Sequence, residues 1–328
     1  MKDEELKRKG KGLLVLLFVL MANCQLSIVN CQNREVPFRY GDLDHWVVRE
    51  IHESGIIGGA TKFLYEVGPR DTIVGNIAYT NQGGSPWANS NVMAKVAGVV
   101  KTNVSVFPER RGDGWCARME TRMESVKVFG LIDIEVVAAG SVFLGTIHEP
   151  IKGTKNPQSM LLSGIPFTQR PKALKFDYKV KVMPQHERVR STGFSRKTNV
   201  PGQDSVAVVL LLQKRWEDEE GNVYSKRVGT MVHRYSQSSN GWVNGAEYPI
   251  LYGDITKRPE YRDYMRIQVE ERYTTNSKGE SVPIKEVGWA NADDSPTHMV
   301  LQFVSSHGGA YIGSVGNTFW IDNVKLVY

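Results

Sequence analysis

Cysteine is scarce in this chain, with three in 328 residues. Cys24 and Cys31 lie near the start and only Cys116 sits in the body. No internal disulfide framework is therefore available to the body, even in an oxidising compartment that would permit one. Cys116, within Trp115-Cys-Ala-Arg-Met119, reads as a small buried hydrophobe. Long apolar runs are also lacking. Leu13–Ala22 is far shorter than the roughly 20 residues a spanning helix needs, and the run around Val206–Leu212 suits a buried strand. Glycine has no strict period, which excludes collagen-like repeats. The 41 Lys+Arg and 35 Asp+Glu leave a net charge of only +6, interleaved along the body. Without a basic block, nucleic acid is not the expected partner.

Catalytic signatures are missing as well. The seven His show no H-E-x-x-H or H-x-H spacing, and no G-x-S-x-G elbow, phosphate loop or dinucleotide fingerprint appears. Gly55-Ile-Ile-Gly-Gly59 is too loose to serve as one. Hydrolysis of a glycosidic bond needs two carboxylates at a set separation, which sequence does not measure. Glu217-Asp-Glu-Glu220 precedes Gly221-Asn222 and reads as a solvated turn, while Glu120 and Glu124 would simply share one face of a strand.

What is present begins with five basic residues (Lys2, Lys7, Arg8, Lys9, Lys11) ahead of the Leu13–Ala22 run. A basic flank and a short apolar core form the pattern of a secretory signal. The expected organisation is a signal peptide over 1–31, a short tail over 32–37 and a single domain over 38–328. The mature protein is expected to be exported, to the periplasm, the outer-membrane surface or the medium, with no transmembrane segment. Cys24 or Cys31 would carry a lipid anchor if the signal is of the lipoprotein kind, although Asn23 and Asn30 stand where a small residue usually precedes such a cysteine. The oligomeric state is not readable.

Within the body, local signals favour strands. Ala173–Val182 alternates apolar and polar residues with period two, and Ser205–Arg215 is a continuous β-branched and leucine run. Further strands are expected at Trp115–Glu120, Ser125–Val128, Ile134–Ala138, Met265–Glu271, His298–Ser305 and Thr318–Tyr328. Turn chemistry at Glu219–Asn222, Asn276–Gly279 and Gly308-Gly309 separates them. Helical turns are expected only near Ser90–Lys95 and Arg258–Tyr264. Many short strands without βαβ alternation indicate an all-β sandwich or barrel, and a single antiparallel β-sandwich is the expected fold.

Four stretches carry the most specific text: Tyr40-Gly-Asp-Leu-Asp-His-Trp46, Gly164–Lys179, Tyr248-Pro-Ile-Leu-Tyr252, and the ending from Ser305-Ser-His-Gly-Gly309 through Trp320-Ile-Asp-Asn-Val324. Together, over about Phe38–Tyr328, they resemble the putative carbohydrate metabolism domain family of exported Gram-negative proteins. The resemblance implies a jelly-roll-like sandwich similar to carbohydrate-binding modules and a role in glycan handling, and it leaves catalysis open. Family members often carry a separate N-terminal module, for which this sequence has no room before Phe38.

Sugars are held by aromatic faces and planar polar groups. Asn81, Gln82 and Trp87 in Thr80–Ser90, and Asn240 and Trp242 in Ser236–Asn244, combine these features with glycines. Both tryptophans fit equally the role of plugs at the ends of the core. Trp46, Trp216 and Trp320 lie in strand-like text and read as core. His307 either points a ring nitrogen into a site, making binding vary between about pH 5 and 8, or is a surface loop histidine. The jelly-roll resemblance further implies a structural calcium where the first and last strands meet. Asp42, Asp44 and Asp322 are its expected ligands, the alternative being edge charges and a turn cap. The expected function is glycan capture or processing at the cell envelope. A glycan-cleaving enzyme on the same scaffold, or a structural or adhesive envelope protein, are the alternatives.

Overall fold

The computed structural model describes residues 34–96, 98–128, 132–153, 156–193 and 196–328. The expected signal peptide, with Cys24 and Cys31, lies outside the described residues. Within them the chain is mostly strand and connecting loop, and its helical content is four short 3₁₀ turns.

Two large sheets face each other. The first, seven-stranded among the described residues, runs Ile132–Ala139, Gly114–Val128, Thr318–Val327, Ala173–Lys181, Val243–Pro249, with Glu35–Pro37 and Val106–Arg111 on its flanks. The second, ten-stranded, is built around Val206–Glu217, which pairs antiparallel with both Val223–Tyr235 and His298–Val304. Ser141–Ile147 extends it beyond His298–Val304, and Ser281–Trp289 joins Val223–Tyr235 in parallel. The expected all-β sandwich is thus the observed architecture. A smaller three-stranded sheet, Trp46–His52 with Thr61–Val67 and Asp71–Val74, stands beside it. Buried Arg49 ties that sheet to the loop after Ser141–Ile147, meeting Glu66 at 3.0 Å and Glu149 at 2.5 Å.

The core follows from strand alternation, since successive side chains point to opposite faces. Val206, Val208, Leu210 and Leu212 face inward with Met299, Leu301 and Phe303, and meet Leu174, Phe176, Phe319 and Ile321 of the other sheet. Phe303 packs edge-on against Phe176 at 5.1 Å between ring centroids. Truncating such a phenylalanine to Ala typically costs about 3–5 kcal/mol. Cys116 is buried, as its apolar context implies, and burial pushes its thiol up to about 12.

Several expected elements differ. The two strands expected over Trp115–Val128 are one strand, Gly114–Val128. Near Ser90–Lys95 the chain forms a hairpin, Val92–Val96 against Val99–Asn103, instead of a helical turn. Its β-branched valines favour the extended state. Near Arg258–Tyr264 a 3₁₀ turn forms at Asp263–Met265. Met265–Glu271 is mostly loop: Met265 drops onto the sheet and Gln268 adopts a positive φ of 53°. Trp216 is 44% exposed and stacks on Tyr224 at 5.8 Å instead of entering the core. It stands near the end of its strand, beyond the reach of the opposite sheet's core.

Candidate functional site

The second face of the Val206–Leu212 run explains why it is apolar at every position. Val209 and Leu211 point away from the core, where Val232, Val300, Ile255 and Met265 join them. The segment carrying Ile255 and Met265 covers only part of this outer face. The remainder is a groove of about 690 Å³.

Its floor is laid out in transverse rows fixed by strand register. Phe143 lies beside Gln302, Gln302 beside Val209, and Val209 beside Val232. The next row is Ser141, Val304, Ala207 and Arg234. One wall is the Val92–Asn103 hairpin with Glu124 and Val136; the other is Tyr264 and Gln268–Arg272; the loop carrying His307 and Tyr311 closes one end. An apolar floor with a few converging polar groups is the usual composition of a ligand site.

The groove's charges are handled unequally. Glu286, almost fully buried, receives a bidentate pair from Arg227, with Nε to Oε1 at 2.5 Å, and further hydrogen bonds from the Gln268 amide and the Gln213 side chain. Burial alone would raise its proton affinity, but Arg227 and these donors outweigh it and hold the carboxyl below the ordinary range. Glu124 behaves oppositely. Burial raises its pKa, and the opposing pull of Arg122, Lys101 and Lys62 does not cancel that rise.

Of the residues expected from sequence to bind glycan or metal, only His307 lines this groove. Its Nδ1 lies 3.0 Å from buried Asp204 and 2.8 Å from the Ser205 hydroxyl. Both contacts use the same ring nitrogen, so no Ser–His–Asp relay is formed. Asn81 is spent on scaffolding: its amide donates to the carbonyls of Ser85 and Gly145, and its oxygen accepts from Thr146. Gln82 is half-buried in a 3₁₀ turn. Trp87 is fully buried, and its indole N–H donates to the Arg39 carbonyl at 2.9 Å, so it is a core plug and offers no face to a ligand.

Asn240 is exposed and Trp242 half-buried, both away from the groove. Trp242 belongs to the outer face of the seven-stranded sheet, where the Arg111 guanidinium sits 3.9 Å from its ring centroid. Arg111 also joins Asp177, at 2.9 Å, to Asp322, its neighbour across paired strands. Burial pushes Asp322 up to about 6 despite that arginine, while Asp177 is held below the usual range because Asn323, Gly245 and Arg111 outweigh its own burial. Trp320, half-buried on the same face, donates its indole N–H to Glu109 and is likewise not core.

The expected calcium ligands are not brought together. Tyr40–Asp42 form a turn, not a strand, with positive φ at Tyr40 and Leu43, so Asp42 and Asp44 share no strand face. Asp42 is exposed, Asp44 accepts the Trp115 amide, and Asp322 faces a guanidinium that already supplies positive charge. Among the described residues no group of three or more His, Cys, Asp or Glu is placed to hold a metal ion, and no helix is long and apolar enough to cross a membrane.

From sequence Glu124 reads only as sharing a strand face with Glu120, and nothing there points directly to the groove residues Arg234, Gln268 and Gln302. The available signal was polar interruption: Gln302 is the one amide within His298–Val304, and Gln213 ends the apolar run.

With this architecture in place, comparison with known proteins identifies the class. The model of the putative carbohydrate metabolism domain matches residues 70–327, and the chain belongs to that family. It is similar to a solved structure described as a putative glycoside hydrolase from Bacteroides thetaiotaomicron VPI-5482, with 18% identity, TM-score 0.45, and 82% of this chain and 81% of that one covered. A second, described as a putative glycoside hydrolase from Bacteroides vulgatus ATCC 8482, has 14% identity, TM-score 0.41, and coverage of 90% and 95%. No curated protein matches.

Proposed function

We propose that the protein is an exported glycan-binding protein of the cell envelope, and that the groove on the outer face of the ten-stranded sheet receives the glycan. The observation that supports this is the groove itself, in a chain of a carbohydrate-metabolism family. Its apolar floor suits the C–H faces of pyranose rings, and Gln302 and Ser141 offer donors and acceptors to hydroxyls. The basic, apolar N-terminal text supports export, with a lipid anchor at Cys24 or Cys31 as the means of retention at the membrane. Affinity electrophoresis against a glycan panel tests the reading. Retention should fall about three- to tenfold in Gln302→Ala, the loss of roughly one hydrogen bond. Equal retention of the variant on every retaining glycan would refute the groove as the site.

A second reading, glycan cleavage in the same groove, is favoured by Glu124. A carboxyl whose proton is held by burial has the property a general acid needs. Release of reducing ends by purified protein, abolished in Glu124→Gln, would replace capture by catalysis.

A further inference from the structure

We propose that the His307 end of the groove is an anion-recognition subsite, taking the carboxylate or sulfate of an acidic sugar. The inference rests on the groove being the glycan site and adds the class of glycan. Arg234 closes the row Ser141–Val304–Ala207, with its guanidinium 4.5 Å from the Tyr264 ring centroid. Arg188 approaches from the neighbouring small sheet, with Nη1 3.4 Å from His307 Nε2 and Nη2 donating to the Pro201 carbonyl. The Nε atoms of both arginines are buried and have no hydrogen-bond partner.

The nearby acids are already committed. Asp204, beneath His307, accepts from the Ser205 and Ser314 amides and from Asn317 as well as meeting the imidazole. Glu270, which favours the Arg234 cation from a distance, is paired with Arg272 at 2.9 Å. Glu286 belongs to Arg227, and Glu124 stands on the opposite wall near Arg122. Two guanidinium groups with unpaired buried donors are unfavourable unless something accepts their hydrogen bonds. A planar carboxylate or a sulfate matches the fork of such donors, and the bonds would be charge-assisted.

The test is affinity electrophoresis of the full chain on three polymers: polygalacturonate, a sulfated galactan and a neutral galactan. Wild type, Arg234→Gln, Arg188→Gln and the exposed control Lys214→Gln are compared, with thermal melts confirming that each is folded. Tighter retention on an acidic polymer is expected, falling about tenfold in either arginine variant and unchanged in the control, with the neutral polymer unaffected. Whichever acidic polymer responds identifies carboxylate or sulfate. Equal retention on acidic and neutral polymers, or an equal loss in Lys214→Gln, would overturn the subsite while leaving the groove as a glycan site. Retention on none of the three would overturn both.

Discussion

The outer faces of the two sheets solve the same problem in opposite ways. On the seven-stranded sheet, polar groups are satisfied within the molecule: Arg111 joins Asp177, Asp322 and Asn244 under Trp242, and Lys175 and Lys325 both hold Glu35. On the ten-stranded sheet, aliphatic side chains line a groove in which Arg234 keeps a buried, unpaired nitrogen, as does Arg188 beside His307 at the groove's end. A surface rich in tryptophan and charge can be closed to ligands because its groups are matched to each other. The more apolar face has donors left over, and leftover donors are what a ligand supplies with partners.

The largest expected effect of a perturbation belongs to the buried groove pair Arg227–Glu286. Arg227→Met leaves Glu286 buried and uncompensated, and urea denaturation should show a loss of about 3–5 kcal/mol. The pH dependence has a definite sign. Glu286 has a lowered folded pKa, so its contribution is present above the unfolded carboxyl value and lost as pH falls through the folded one. A variant as stable as wild type at neutral pH would show that the pair carries no weight.

A smaller effect is expected across the molecule at Asp322. Its folded pKa, about 6, is above the unfolded value, so folding binds a proton there and this group's contribution falls as pH rises from about 4 to 6. Asp177, which is shifted downward, contributes in the opposite direction at lower pH. Asp322→Asn should remove the 4-to-6 component from a plot of melting temperature against pH, with a net change at neutral pH within about 1 kcal/mol, as for partly exposed pairs. An unaltered profile would place the titration elsewhere. Smallest of all is Trp242→Ala, which should leave glycan retention unchanged because Arg111 already occupies a face of the ring. A clear loss would reverse the comparison between the two faces.

Much of the sandwich was legible because alternation and turn residues act locally. Ala173–Lys181 reads correctly from its period, and the turn at Asp218–Asn222 from its residues, with Gly221 supplying the positive φ of 90°. The groove was far less legible. In Val206–Leu212 the sequence shows only that both faces are apolar, and it does not distinguish a face covered by a neighbouring segment from one left open. Trp87 and Trp242 were attractive because aromatic and amide residues cluster in loops. The partners that commit them, the Arg39 carbonyl and Arg111, are 48 and 131 positions away and become neighbours only on folding.

The strand Thr318–Val327 lies at the centre of its sheet, between Gly114–Val128 and Ala173–Lys181, although it comes last among the described strands. Until it arrives, those two strands have unpaired edges facing each other and Phe303 lacks its ring neighbour Phe319. The pairings it closes are distant in sequence, and distant pairings fold slowly. Synthesis proceeds from the N-terminus, so this sheet stays open while most of the chain is made. Such delayed closure would keep a nascent chain loose enough to be threaded through a channel, and would expose it to strand-edge aggregation for the same interval.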